Sequence, residues 1–163
     1  MTLRILTIFL LGLTFLSCQT KELKSEPSET TTSQSNEPDY QIAIKFINDY
    51  LNFSNDLKSE IGLIEWVNQR HDVTVEFKNE LNRILEEAEK HDPELGLGFD
   101  PILDAQDSPN RFKLDKAESE YLIVKGENWT EFRLTLKMKL VDNKWLVDGA
   151  GIINVPENKR IKR

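Results

Sequence analysis

Three aspartates in one short segment have the residue type and the spacing of a cation site. Asp100, Asp104 and Asp107 lie four and three positions apart, with Gln106 among them. On a helical turn the three carboxylates would share one face, and hard cations prefer several oxygen ligands. The alternating ligands and central glycine of an EF-hand loop are absent. A cation site is therefore the weaker interpretation of this segment.

The favoured interpretation of the same segment is a structural turn. Asp100 precedes Pro101, so its side chain can cap the turn that the proline opens. The side chains of Gln106 and Asp107 would then bond to backbone amides of the loop. We therefore expect no metal at Asp100, Asp104, Gln106 and Asp107, and a weak cation site stays open as the alternative.

Two histidines have the residue type for general-base chemistry. His71 and His91 each precede an aspartate, and each lies near the end of an expected helix. A His–Asp pair can act as a base, but no nucleophile stands beside either pair. A histidine at a helix C-terminus is also stabilised by the helix dipole, and we favour a structural or solvated role for both. We therefore expect no catalytic residue and no cofactor.

The single cysteine, Cys18, is placed for lipid attachment. Arg4 gives a positive start, and residues 5 to 16 form an apolar run that is too short for a bilayer, which needs about 20 residues. The segment FLSC, residues 15 to 18, resembles the lipobox of bacterial lipoproteins. In that family diacylglycerol is added to the sulfur, and the chain is cut before the cysteine. The alternative is an ordinary signal peptide with an incidental cysteine.

The lipobox resemblance implies a lipoprotein signal peptide at residues 1 to 17 and a lipid anchor on Cys18. Several acyl chains hold a protein durably, since one chain alone is marginal. By Gram-negative sorting rules, Gln19 favours the outer membrane, with the domain facing the periplasm. Residues 19 to 38 are rich in Ser, Thr, Glu and Lys. They predict a disordered tether, which with Cys18 forms segment 18 to 38 and spans roughly 25 Å.

The charge of the chain bounds its partners. The 163 residues include 28 acidic and 21 basic ones, for a formal net charge of −7. Nucleic acid and anionic lipid surfaces both require clustered Lys and Arg, so neither is a default partner. We expect no nucleic-acid partner, contact with the membrane through the lipid on Cys18, and an envelope protein as the candidate partner.

Three helices open the domain that we expect at residues 39 to 156. Asp39 can cap a first helix with apolar residues at helical spacing. A second helix is expected over about residues 57 to 70, although Gly62 weakens it. Thr74 can cap the third helix, which Asp92 and the following proline end.

The periodicity then changes from 3.6 to 2. After an irregular stretch at residues 94 to 110, apolar residues alternate with Arg, Thr and Lys over residues 132 to 140, which predicts a half-buried strand. A turn at Asp142 and Asn143 leads to a return strand at 144 to 148. An earlier strand is expected over residues 117 to 123. The predicted class is α+β, with N-terminal helices packed on a curved antiparallel meander. A short basic tail at 157 to 163 is expected to be solvated.

Two segments of the chain resemble a known family. The first is FDPILDAQD, residues 99 to 107, and the second is LVDNKWLVD, residues 140 to 148. Together they look like a family of bacterial envelope proteins catalogued as a domain of unknown function. The resemblance implies a nuclear transport factor 2-like, cystatin-like cone, and many members are lipoproteins. Some enzymes of the wider superfamily use Asp, His or Tyr inside the cone, where Tyr50, Tyr121 and Asp148 are candidates here.

The sequence thus predicts a membrane-tethered envelope lipoprotein with a non-catalytic binding or accessory domain. One alternative is a small-ligand binder or enzyme that uses the interior of the cone. The other is a periplasmic immunity-type inhibitor, since small acidic envelope proteins can fill that role.

Overall fold

The computed structural model describes residues 37 to 162. Cys18, the expected signal peptide and the tether up to Asn36 lie outside the described residues. The described chain forms three helices, four strands and a short 3-10 helix, which are α1 (Tyr40–Ser54), α2 (Leu63–Asn68), α3 (Val75–His91), β1 (Phe112–Glu118), β2 (Tyr121–Gly126), β3 (Arg133–Val141), β4 (Lys144–Ala150) and the 3-10 helix Glu157–Lys159. None of the helices in residues 37 to 162 has the length and apolar character needed to cross a membrane.

The first and third helices begin at the residues that the sequence indicated. The carboxylate of Asp39 accepts a hydrogen bond from the amide of Gln41, and the hydroxyl of Thr74 accepts one from the amide of Phe77. Helix α3 ends at His91, directly before Asp92, as predicted. Both predicted caps are therefore confirmed.

The second helix is much shorter than predicted. Residues 57 to 62 are not helical, and Leu57 is fully exposed. The carboxylate of Asp56 instead accepts a hydrogen bond from the amide of Lys58, which makes a turn that competes with helix formation. Helix α2 therefore begins only after Gly62.

The four strands form one antiparallel sheet in the order β1-β2-β3-β4. The single early strand that we expected is wrong, because a turn at Ser119 and Glu120 divides it into β1 and β2. Ser119 has a φ of 54°, which few residues other than glycine adopt, and its carbonyl accepts a hydrogen bond from the Tyr40 hydroxyl. The turn at Asp142 and Asn143 is confirmed, with φ values of 47° and 62°.

The helices cover one face of the sheet, which we call the inward face. Helix α1 packs on β1, β3 and β4, and α3 packs on α2 and β4. The largest fully buried side chains come from both layers and from the loops, and are Phe46, Phe77, Phe112, Ile47, Leu51, Leu81, Ile102, Leu122, Leu134, Leu136, Met138 and Ile153. Leu140, which we placed among the buried residues of its strand, is 41% exposed at the end of β3. The α+β class is confirmed.

The C-terminal segment crosses the opposite face, which we call the outward face. The hydroxyl of Thr135 on β3 donates a hydrogen bond to the carbonyl of Lys159, with 2.7 Å between the oxygens. The guanidinium of Arg160 donates to the carbonyls of Val155 and Ile152. The basic tail, which we expected to be solvated, is therefore partly held against the sheet.

Candidate functional site

Asp100 caps a tight turn. One carboxylate oxygen, Oδ1, accepts hydrogen bonds from the amides of Ile102 and Leu103, at 2.8 and 2.9 Å. The amide of Asp100 donates to the carbonyl of Ala105 and closes the turn. Asp100 thus occupies a structural position in the segment where we weighed a turn against a cation site.

The second carboxylate oxygen of Asp100 accepts a short hydrogen bond from the hydroxyl of Tyr50 on α1. Burial raises the pKa of Asp100 above its ordinary value, although the hydrogen bonds from Tyr50 and the two amides act to lower it. Burial and the nearby charge of Asp100 also raise the pKa of Tyr50. Both oxygens of this carboxylate are therefore engaged by protein donors.

The other predicted residues of the segment do not converge with Asp100. Asp104 has a φ of 53° and lies at a cavity of about 470 Å³ that is also lined by Glu157, Arg160, Ile161 and Lys162. The side-chain amide nitrogen of Gln106 donates to the backbone carbonyl of Gly98, with 3.1 Å between the atoms. Asp107 is exposed. Within residues 37 to 162, no three His, Cys, Asp or Glu side chains form a group that could hold a metal ion.

The turn at Asp100 packs closely against the end of β4 at Gly151. A Cβ atom on Gly151 would lie 2.4 Å from the carbonyl oxygen of Pro101, and the glycine has a φ of +57°. The amide of Ile152 donates to the same carbonyl at 3.0 Å. The close approach of the two backbones therefore requires glycine at this position.

Asp148 links three elements. Its carboxylate accepts hydrogen bonds from the Thr74 hydroxyl at 2.8 Å and from the Lys137 ammonium at 2.9 Å. Although burial acts to lower it, the pKa of Lys137 lies above its ordinary value because Asp148 accepts its hydrogen bond. Thr74 is the cap of α3, so Asp148 fixes the helix start to the sheet.

Of the three residues considered for a cone interior, two lie on the outward face. Tyr121 is paired with Lys137 in the sheet register, and the Lys159 ammonium lies 5.3 Å from the centre of the Tyr121 ring. Asp148 contacts the same Lys137. Only Tyr50 lies in the helical layer, where it is engaged with Asp100. Tyr121 therefore does not face the helical layer, and the carboxylate of Asp148 is engaged by Thr74 and Lys137. His71 and His91 are both exposed.

The outward face carries a cluster of cations. The register places seven basic side chains on it, from Lys113, Lys116, Lys125, Arg133, Lys137, Lys139 and Lys144. Three acidic residues of the strands lie among them, namely Asp115, Glu118 and Asp148. Asp115 and Asp148 occupy places where the register shifts, and at these bulges an extra residue is added to the strand.

The helical side has the opposite charge. The three helices contain seven acidic and four basic residues, and the segment that supplies them with their loops, residues 39 to 110, contains sixteen acidic and six basic ones. The net charge of −7 therefore hides a separation between an acidic helical layer and a basic outward face. Composition alone did not indicate this clustering.

Comparisons with known proteins add no relative. No family model matches the chain, and neither a curated protein nor a solved structure matches it.

Proposed function

We propose that this protein is a lipoprotein of the bacterial cell envelope, anchored by acyl chains on Cys18. The support is the position of the cysteine, directly after an apolar run of signal-peptide length and a small residue. Residues 19 to 38 then act as the tether to the domain. We place the anchor in the outer membrane, with the domain in the periplasm, on the basis of Gln19.

We further propose that the domain binds a partner and performs no catalysis. The observation that carries this proposal is that its polar groups are already engaged. In residues 37 to 162, no buried side-chain nitrogen or oxygen lacks a hydrogen-bond partner. The interior is filled by fully buried apolar side chains such as Phe46, Phe77 and Leu136. An active site usually keeps polar groups convergent and accessible in a pocket.

The finer fold that we propose is the nuclear transport factor 2-like cone of the envelope family that the sequence resembles. Three helices precede a four-stranded meander and cover one of its faces, which is compatible with such a cone. Bulges at Asp115 and Asp148 increase the local twist of the strands, as curvature requires. An experimental structure that placed the helices on both faces of the sheet would contradict this assignment.

The anchor is tested with Cys18→Ala in the full-length chain. We expect loss of incorporation of labelled fatty acid and accumulation of an uncut precursor. Ser17→Ala is the matched control, because it keeps a small residue before the cysteine and should leave acylation intact. Unchanged acylation of the Cys18→Ala protein would overturn the proposal.

A further inference from the structure

The cations on the outward face repel one another, and this repulsion lowers the stability of the folded sheet. Lys113 is paired with Lys125, and Lys125 is paired with Arg133, so three cations stand in one row across β1, β2 and β3. Like charges directly opposite one another destabilise a sheet. Asp115 accepts hydrogen bonds from Lys125 and Arg133 and offsets part of this repulsion.

We propose that the outward face binds the anionic phospholipid headgroups of the membrane in which Cys18 is anchored. This inference rests on the proposed function, since the anchor supplies the membrane. Basic side chains near a surface of anionic lipid are attracted to it within about one Debye length, roughly 10 Å at 0.1 M salt. The acidic helical layer is repelled by the same surface, so the two charges together orient the domain.

Several cations at the edges of the sheet are open for such contacts. Lys113 on β1 and Lys144 on β4 are exposed, and neither forms an ion pair with another residue between 37 and 162. Lys116 is also exposed, and its ion pair with Glu118 is a loose one at 3.5 Å. Such surface pairs contribute little and are easily exchanged for lipid phosphate.

The C-terminal segment adds to the same surface. It crosses the outward face at Thr135, where the Lys159 ammonium lies over the ring of Tyr121. Lys162 also lines a cavity of about 250 Å³ with Trp129, whose side chain is 42% exposed in the loop between β2 and β3. Tryptophan suits the boundary between headgroups and acyl chains. The C-terminal segment therefore brings Lys159 to the outward face and lies beside Trp129.

The length of the tether makes weak binding sufficient. Twenty residues separate Cys18 from Asp39, and a flexible chain of that length spans roughly 25 Å. A short flexible linker gives an effective concentration in the millimolar range. The outward face thus needs only low affinity to hold the domain against the bilayer.

The test is vesicle sedimentation with the mature chain carrying Cys18→Ser, so that binding does not depend on acylation. We expect binding to vesicles of phosphatidylcholine with phosphatidylglycerol, release at about 0.5 M salt, and little binding to phosphatidylcholine alone. Lys113→Glu with Lys144→Glu should weaken binding by about tenfold or more. Lys58→Glu with Lys90→Glu is the matched control, because it changes net charge equally away from the outward face and should have a much smaller effect.

Three results would overturn the inference. They are absence of binding to the anionic vesicles, equal binding to both lipid mixtures, and equal losses in the two double variants. Absence of binding to the anionic vesicles would instead favour an acidic protein surface as the partner of the outward face. If the double substitution to Glu unfolds the chain, Lys113→Ala with Lys144→Ala replaces it in the same binding assay. Because the assay needs no acyl group, its failure is distinct from loss of acylation at Cys18, which tests the proposed function.

Discussion

The hydroxyl of Tyr50 on α1 donates a hydrogen bond to the carboxylate of Asp100, fifty positions further along the chain. The same carboxylate caps the turn that packs against Gly151 at the end of β4. One partly buried contact therefore joins the first helix, the irregular segment after α3 and the last strand. The segment that most resembled a cation site serves to hold these three parts together.

Removal of the Tyr50 hydroxyl should destabilise the domain. Tyr50→Phe leaves one oxygen of the partly buried Asp100 carboxylate without a donor, which costs about 1–3 kcal/mol. Urea unfolding measures the change, with an unchanged m-value expected. Tyr40→Phe is the matched control, because it removes an exposed hydrogen bond to the carbonyl of Ser119 and should cost less than about 0.5 kcal/mol. Equal effects of the two variants would contradict this account.

Asp100 should also give the domain an unusual pH dependence. Its pKa is raised by burial, so the folded chain holds the proton at pH values where the unfolded chain has lost it. The stability contributed by this group is full below its ordinary pKa of about 4 and is lost as the pH rises through the folded pKa. Asp100→Asn cannot ionise, so it should gain stability relative to the wild type over that interval.

The difference between the two unfolding free energies, followed from acidic to neutral pH, isolates this effect. Asp49 and Asp115 have lowered pKa values, so the stability that each contributes is lost as the pH falls. This loss is the same in both proteins and cancels in the difference. A difference that stays constant with pH would show that Asp100 ionises as it does in the unfolded chain.

Gly151→Ala should be among the more damaging small substitutions in the described domain. The added Cβ meets the Pro101 carbonyl oxygen at 2.4 Å and also requires a left-handed backbone conformation. Gly96→Ala is the matched control, since Gly96 has a φ of +60° but nothing within 4 Å of the added atom. The control should cost about 1–2 kcal/mol for its left-handed conformation, and Gly151→Ala clearly more. Similar melting temperatures for the two variants would mean that the turn can move away from β4.

Thr74 tests the junction between α3 and the sheet. Thr74→Val removes both the helix cap and one hydrogen bond to Asp148, and the lost cap alone costs about 0.5–2 kcal/mol. Thr74→Ser keeps the hydroxyl and should retain most of the stability. Chemical denaturation of the two variants separates the hydroxyl from the methyl group, and a serine variant as unstable as the valine one would refute the assigned role.

The elements with local signals were predictable from the sequence. Asp39 and Thr74 are good helix caps followed by apolar stripes, and the alternation over residues 132 to 140 identified β3. These signals act over one or two turns of chain, so one sequence contains them completely.

The missed features depend on context that a local pattern does not contain. Nothing at Ser119 or Glu120 is a strong turn signal, yet the Tyr40 hydroxyl from α1 meets the Ser119 carbonyl at that turn. Leu57 and Ile61 stand at helical spacing, but Leu57 is left exposed.

The candidate sites were predictable only in part. Asp100 next to Pro101 indicated a capped turn, but its partner Tyr50 lies on a distant helix. The lysines and arginines of β1 to β4 are evenly spread in sequence, and only the strand register collects them on the outward face. In the net charge of the whole chain, the acidic residues of the helical segment outweigh this basic cluster.

Mass spectrometry of the wild-type protein purified from bacterial membranes tests most directly whether lipid on Cys18 holds this domain to a membrane. We expect a mature chain whose first residue is Cys18 and whose N-terminal peptide carries the added mass of diacylglycerol and its acyl chains. A mature chain that begins at any other residue, or an unmodified Cys18, would contradict it.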